Sequence, residues 1–181
     1  MLKSTFIRAC VICAALAPAL VLADAHDDLT KAHAAFLNAK SWHADEHLAN
    51  GRTVTVDYSA PDRWRVQPNP DTTELIIGND VYMVRKGRAT KLPFGGGMIR
   101  KAIEGIGMPV KDDVKQSARD LGMQTLDGQS VHVYTYTTHD NPVTLYIGPD
   151  SLPVQSVVND KNGTVTIKYS KYNEPISIEP Q

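Results

Sequence analysis

From Trp42 onward the apolar residues recur every second position and are interrupted by tight turns, a pattern that admits short antiparallel strands and little else. Trp42, Ala44 and Leu48 alternate with His43, Asp45 and His47. Asn50-Gly51 signals a two-residue turn, and Val54, Val56 and Tyr58 then alternate with Thr53, Thr55 and Asp57. Pro61-Asp62 breaks the chain, Trp64-Arg65-Val66 resumes it, and Pro68 and Pro70 break it again. Strands at 73–77, 81–85 and 89–92 complete six in about 50 residues, which reads as a meander. Further strands are expected at 130–138, 143–147, 154–159 and 164–170, punctuated by Asp127-Gly128, Asn141-Pro142, Gly148-Pro149 and Asn162-Gly163. Asn162-Gly163-Thr164 also matches a glycosylation sequon, but the hairpin turn is the better reading.

Three segments have a helical period. Over 28–40, capped by Asp28, residues Leu29, Ala32, Phe36 and Leu37 form one stripe. After Gly95-Gly96-Gly97, the residues Met98, Ile99, Ala102, Ile103 and Ile106 share a face, and Gly105, Gly107 and Pro109 end it. A third pattern, Val114, Ala118 and Leu121, begins near Asp112 and stops at Gly122.

One face of the sheet is expected to be dry. Val131 and Val133 share a parity, as do Val143, Leu145 and Ile147, and Val165, Ile167 and Tyr169, with His132, Thr144, Thr166 and Lys168 opposite. A one-sided antiparallel sheet needs helices or a ligand over its apolar face. The expected class is therefore α+β, mainly antiparallel β: an incomplete, half-open β-barrel with helices covering an apolar cavity.

The first 25 residues read as a signal peptide. Lys3 and Arg8 precede an apolar run from Ala9 to Leu22, and Ala23-Asp24-Ala25 or Val21-Leu22-Ala23 supplies a small-x-small cleavage site. The run is too short for a membrane span. Cleavage after Ala25 leaves 156 of the 181 residues, 26–181, which is one domain. Both cysteines, Cys10 and Cys13, lie in the removed part, so the mature chain is expected to be thiol-free and periplasmic. Losing Lys3, Arg8 and Asp24 leaves 17 basic and 19 acidic side chains, a net charge of −2. That balance gives no basic surplus for nucleic acid.

No enzyme is expected: the chain has no Gly-x-Ser-x-Gly elbow, phosphate loop or His-Glu-x-x-His. Nor is a cofactor or a resident metal. His43 and His47 lie on a strand, where four residues span about 13 Å, too far to share one ion. At best one of them pairs with Asp45. Cleavage after Ala23 would expose Asp24-Ala25-His26, a sequence able to bind Cu(II) in a square plane.

The order of short motifs resembles the LolA-like superfamily, the periplasmic lipoprotein carriers and their LppX-type lipid-binding relatives. Val56 to Val66 resembles the family's strand–proline–strand segment, and Ile77-Gly78-Asn79-Asp80-Val81-Tyr82 its hairpin ending in an aromatic. Leu126-Asp127-Gly128-Gln129 with Val131-His132-Val133-Tyr134 resembles a later turn and strand. Gly148 to Val154 and Tyr172-Asn173-Glu174-Pro175-Ile176 are similar as well. Lipoprotein carriers often have an arginine just before the proline; here that residue is Ala60, with Arg63 and Arg65 nearby.

The resemblance implies a carrier or binding protein for a lipid or lipoprotein acyl group, with a membrane-bound donor or acceptor as a possible partner. The alternative is a periplasmic sensor that reports a lipid or lipoprotein signal to a partner protein. The cavity residues expected on this reading are Val54, Val56, Tyr58, Trp64, Leu75, Ile77, Val133, Leu145 and Ile147. Phe94, Met98, Ile99, Ile103, Ile106 and Met108 would form either a lid or a fixed core helix.

Overall fold

A computed structural model describes residues 25–93 and 117–180. Helix α1 (Ala25–Asn38) is followed by strands β1 (Ser41–His47), β2 (Thr53–Ser59), β3 (Arg63–Asn69), β4 (Thr72–Ile77), β5 (Asp80–Arg85) and β6 (Arg88–Lys91). After the undescribed stretch come β7 (Arg119–Leu126), β8 (Gln129–Thr138), β9 (Asn141–Ile147), β10 (Pro153–Asp160) and β11 (Gly163–Ser170). All eleven form one antiparallel sheet in the order β6-β5-β4-β3-β2-β1-β11-β10-β9-β8-β7. Two meanders are thus joined where β1 pairs with β11. The sheet is open, with β6 and β7 at its edges, the arrangement of a partial barrel.

Turn chemistry sets the hairpins. Asn50 and Gly51 close β1–β2, with Gly51 at φ 80°. Gly163, at φ 126°, begins β11 so close to the β1–β2 loop that a Cβ there would lie 2.7 Å from Ala49 Cβ. Only glycine fits that approach.

Residues 112–116 of the expected Val114–Ala118–Leu121 helix lie outside the described residues, and its later part is corrected: Arg119–Leu126 are strand β7. Three apolar residues at helical spacing were a thin signal, and β8 offers a partner for the full length of the hairpin. Gly122, read as a helix stop, instead sits at φ 76° in an irregularity of the β7–β8 register. Residues 94–116, including every residue of the expected lid, lie outside the described residues, as does the expected signal segment up to Asp24.

The strand register divides the side chains between an inner face, on which α1 packs, and an outer face. Leu29 and Ala32 of α1 cover Tyr134, Tyr136, Val143, Leu145 and Ile147. Phe36 covers Ala44, Ile167 and Tyr169. Across the outer face runs the C-terminal tail, where Arg63 donates to the Ile178 carbonyl at 2.9 Å and Arg65 to that of Ser177 at 3.4 Å.

Candidate functional site

The inner face has two unequal halves. Under α1 the side chains are sealed: Leu145 is 0 % exposed and Tyr134 1 %. On β2–β5 the apolar cluster is Trp64, Ile76 and Val81, with Tyr58, Val66 and Leu92 packed against it, and among the described residues no helical one belongs to it. Val54, Tyr58, Val66 and Met83 on this half remain half-buried.

A row of aromatic rings joins the halves. Phe36 stacks on Trp42 at 5.2 Å, Trp42 meets Tyr58 at 5.7 Å, and Tyr58 meets Trp64 at 5.2 Å. The row follows from register, because Trp42 pairs with Tyr58 and Tyr58 with Trp64 on neighbouring strands. It gives the β2–β5 half a broad apolar floor.

The expected cavity residues do not all face one way. Val54, Val56, Tyr58 and Trp64 are together on the uncovered half of the inner face. Leu145 and Ile147 share that face but lie under α1 as core. Leu75, Ile77 and Val133 point to the outer face, opposite Arg65, Arg63 and Tyr146 respectively. Ile76 is the β4 residue turned inward. On β8 the expected parity is likewise reversed, and His132, Tyr134 and Tyr136 share the inner face with Ile147, Leu145 and Val143. The reason is the same in both strands. Leu75-Ile76-Ile77 and Val131 to Tyr136 are apolar at both parities, so alternation cannot choose a face.

The inner face is not wholly apolar. Glu46 stands there between Val54 and Ile167, and burial pushes its carboxyl above the ordinary range. Glu74 lies between Val66 and Met83. Sequence reasoning missed both, although Glu46 shares the parity of Trp42 and Ala44, which was the signal available.

On the outer face His43 Nδ1 is 2.7 Å from Asp57 Oδ1 and Arg65 Nε donates to Asp57 Oδ2 at 2.8 Å. His43 Nε2 also lies 3.3 Å from Asp45, the single pairing expected, while His47 bonds instead to Thr53. Among the described residues no three His, Cys, Asp or Glu side chains gather to hold a metal. Ala60, the residue before the proline, is exposed, and Arg63 and Arg65 are engaged with the tail on the outer face.

No family model and no curated protein matches the sequence. The fold does have relatives among solved structures. The chain is similar to LprF from Mycobacterium bovis, with a TM-score of 0.63 at 19 % identity over 86 % of this chain and 95 % of that one. It is equally similar to the Mycobacterium tuberculosis lipoprotein LppX, with a TM-score of 0.63 at 14 % identity over 86 % and 98 %. The fold is LolA-like, as the motifs implied.

Proposed function

We propose that this protein binds a lipid or lipoprotein acyl group by burying it against the inner face of the sheet, and that it works as a periplasmic carrier. The observation that carries this reading is the apolar floor of Val54, Val56, Tyr58 and Trp64, in which Val54 and Tyr58 stay half-buried and over which no described helix packs. Its counterpart under α1 is sealed. An acyl chain laid on that floor would remove apolar surface from water at about 25 cal/mol per Å2. The fold shared with LppX and LprF supports the same reading. Binding in this way needs neither a cofactor nor catalysis. A leader cleaved near Ala25 would bring the domain to the periplasm.

Native mass spectrometry of the protein purified from the periplasm tests the reading. An acyl lipid released from the folded protein is the expected result. A ligand-free protein that also leaves a fluorescent long-chain fatty-acid probe unbound would overturn it.

A further inference from the structure

At the far end of the inner face α1 is tied to the sheet by a chain of polar contacts that lipid binding does not use. Lys31 Nζ donates to Asp28 Oδ1 at 3.0 Å, and the Tyr134 hydroxyl donates to Asp28 Oδ2 at 2.9 Å. The same hydroxyl oxygen is 3.0 Å from His132 Nδ1. His132 Nε2 in turn is 2.7 Å from Asp120 Oδ1, which also accepts the Gly122 backbone N–H at 2.6 Å. Asp28, Lys31, His132 and Tyr134 line a recess of about 240 Å3 together with Ser130 and Ser151. The chain therefore runs from α1 through β8 to β7.

Counting protons decides how it works. The three contacts Asp28–Tyr134, Tyr134–His132 and His132–Asp120 each need one proton between their heavy atoms. Tyr134 supplies one, and a neutral imidazole supplies only one more. An imidazolium supplies two and completes the set. Asp28 does not provide the missing proton: burial raises its pKa, but the Lys31 and Tyr134 hydrogen bonds outweigh that and hold the carboxyl below its ordinary range. Tyr134 keeps its own proton, since burial and the neighbouring Asp28 push its pKa far up. The 2.7 Å separation from Asp120 is the length of a charge-assisted bond.

We propose that His132 is a protonation-dependent latch, whose imidazolium fastens the N-terminal half of α1 to β7 and β8 and whose deprotonation undoes one link of that fastening. Without its proton, either the Tyr134–His132 or the Tyr134–Asp28 contact becomes two lone pairs facing each other. Leu29 and Ala32 then hold the helix over Tyr134, Tyr136 and Leu145 by packing alone. Loosening α1 uncovers that half of the inner face, so access to it rises with pH. The inference goes beyond lipid binding and needs no ligand for its test.

The groups facing His132 among the described residues are Asp120 on β7, Tyr134 on β8, and Asp28 and Lys31 on α1; β9 brings only Ile147 and the Gly148–Ser151 turn. Helix α1 carries two further imidazoles. His26 lies 3.8 Å from the Asp27 carboxylate, and burial makes the charged form of His33 less favourable. Any test has to separate these from His132.

Hydrogen exchange of the α1 amides, read against those of β10 and β11 between about pH 5 and 8, does so, because imidazoles change charge in that range. Comparison of wild type and variant at each pH cancels the intrinsic exchange rate. In wild type, α1 protection should fall by about five- to tenfold as pH rises, the size of one net hydrogen bond. In His132→Gln the profile should be flat, whereas His33→Gln should keep the wild-type fall. A flat wild-type profile, or the same fall in His132→Gln, overturns the latch. Should His132→Gln not fold, the ring nitrogen shifts of wild-type His132 replace it. Loss of α1 protection that tracks the titration of another imidazole would then overturn the proposal.

Discussion

The two halves of the inner face belong to one sheet and use similar apolar and aromatic side chains, yet only one is finished as a core under a described helix. Under α1, tyrosines and branched aliphatic residues of β8 and β9 meet Leu29 and Ala32 and leave nothing exposed. On β2–β5, Trp64, Ile76 and Val81 form a smaller cluster, and Val54, Tyr58 and Val66 beside it stay half-buried. Apolar area that folding leaves partly wet contributes little to stability and much to binding, because its burial is still to come. The difference supports the proposed reading, with binding on the β2–β5 half and stability on the β8–β9 half.

The sharpest way to break this division is to truncate one side chain on each half. Leu145→Ala should cost about 2–5 kcal/mol, because a side chain with no exposure leaves a cavity the sheet cannot collapse. Val54→Ala, on the half-buried side, should cost about 1 kcal/mol or less. Urea unfolding of the two variants measures both. Equal losses would mean that the halves are equally core and that no floor is left open.

The outer face offers an intermediate case. Asp57 is buried and accepts from Arg65 while contacting His43, in the network that adjoins the C-terminal tail. Asp57→Ala removes the buried acceptor that His43 and Arg65 share and should cost about 1–3 kcal/mol. Fatty-acid probe affinity should be unchanged, since none of these groups faces inward. A loss of probe binding in the folded variant would show that the two faces are not independent.

Much of this architecture was legible. Alternation and turn residues place nine of the eleven strands within one or two residues, because Asn50-Gly51 and Asn162-Gly163 fix where chains reverse, whereas β3 runs through Pro68 to Asn69, past the break read there. The strand that escaped, β7, has its apolar residues Leu121, Met123 and Leu126 at no steady period and stands at a sheet edge, where Leu121 and Met123 are 50 % and 63 % exposed. Its structure comes from pairing with β8, which no local pattern reveals. The facing of β4 and β8 was illegible for a different reason, since strands buried on both sides carry no alternation. Among the candidate site residues, those on singly buried strands, Val54, Val56, Tyr58 and Trp64, were found together, and Leu75, Ile77 and Val133 were not. The Asp28–Tyr134–His132–Asp120 chain joins residues up to 106 positions apart, and only the completed sheet assembles it.

Binding sharpens the comparison from the other side. Val54→Ala removes two methyl groups from the floor and should weaken a long-chain probe by about four- to fifteenfold, as one or both carbons count at ~0.8 kcal/mol each. Leu145→Ala, in whatever fraction remains folded, should bind the probe as wild type does. Fluorescence titration of both proteins decides the matter. Reversed outcomes would move the site beneath α1.

The smallest effect concerns acid. Asp28 ties α1 to Lys31 and Tyr134, and its carboxyl is held below the 3.8 of the unperturbed group because those hydrogen bonds overcome the effect of burial. A carboxylate with a depressed folded-state pKa binds protons more readily when unfolded, so its contribution is present above the unfolded value and is lost as pH falls through the folded one. The direction is therefore fixed: wild type should be more stable than Asp28→Asn near pH 6, and the gap in Tm should narrow as pH drops below about 3.8. Other carboxylates protonate in the same range, but they are common to both proteins and cancel in the difference. Because the group is on the sealed half, the gap should be the same with and without a bound acyl probe. A gap that widens toward acid would mean that the Tyr134 and Lys31 bonds do not favour the ionised form. A gap that closes when probe is added would mean that ligand and α1 share one binding surface, and the distinction between the two halves would fail.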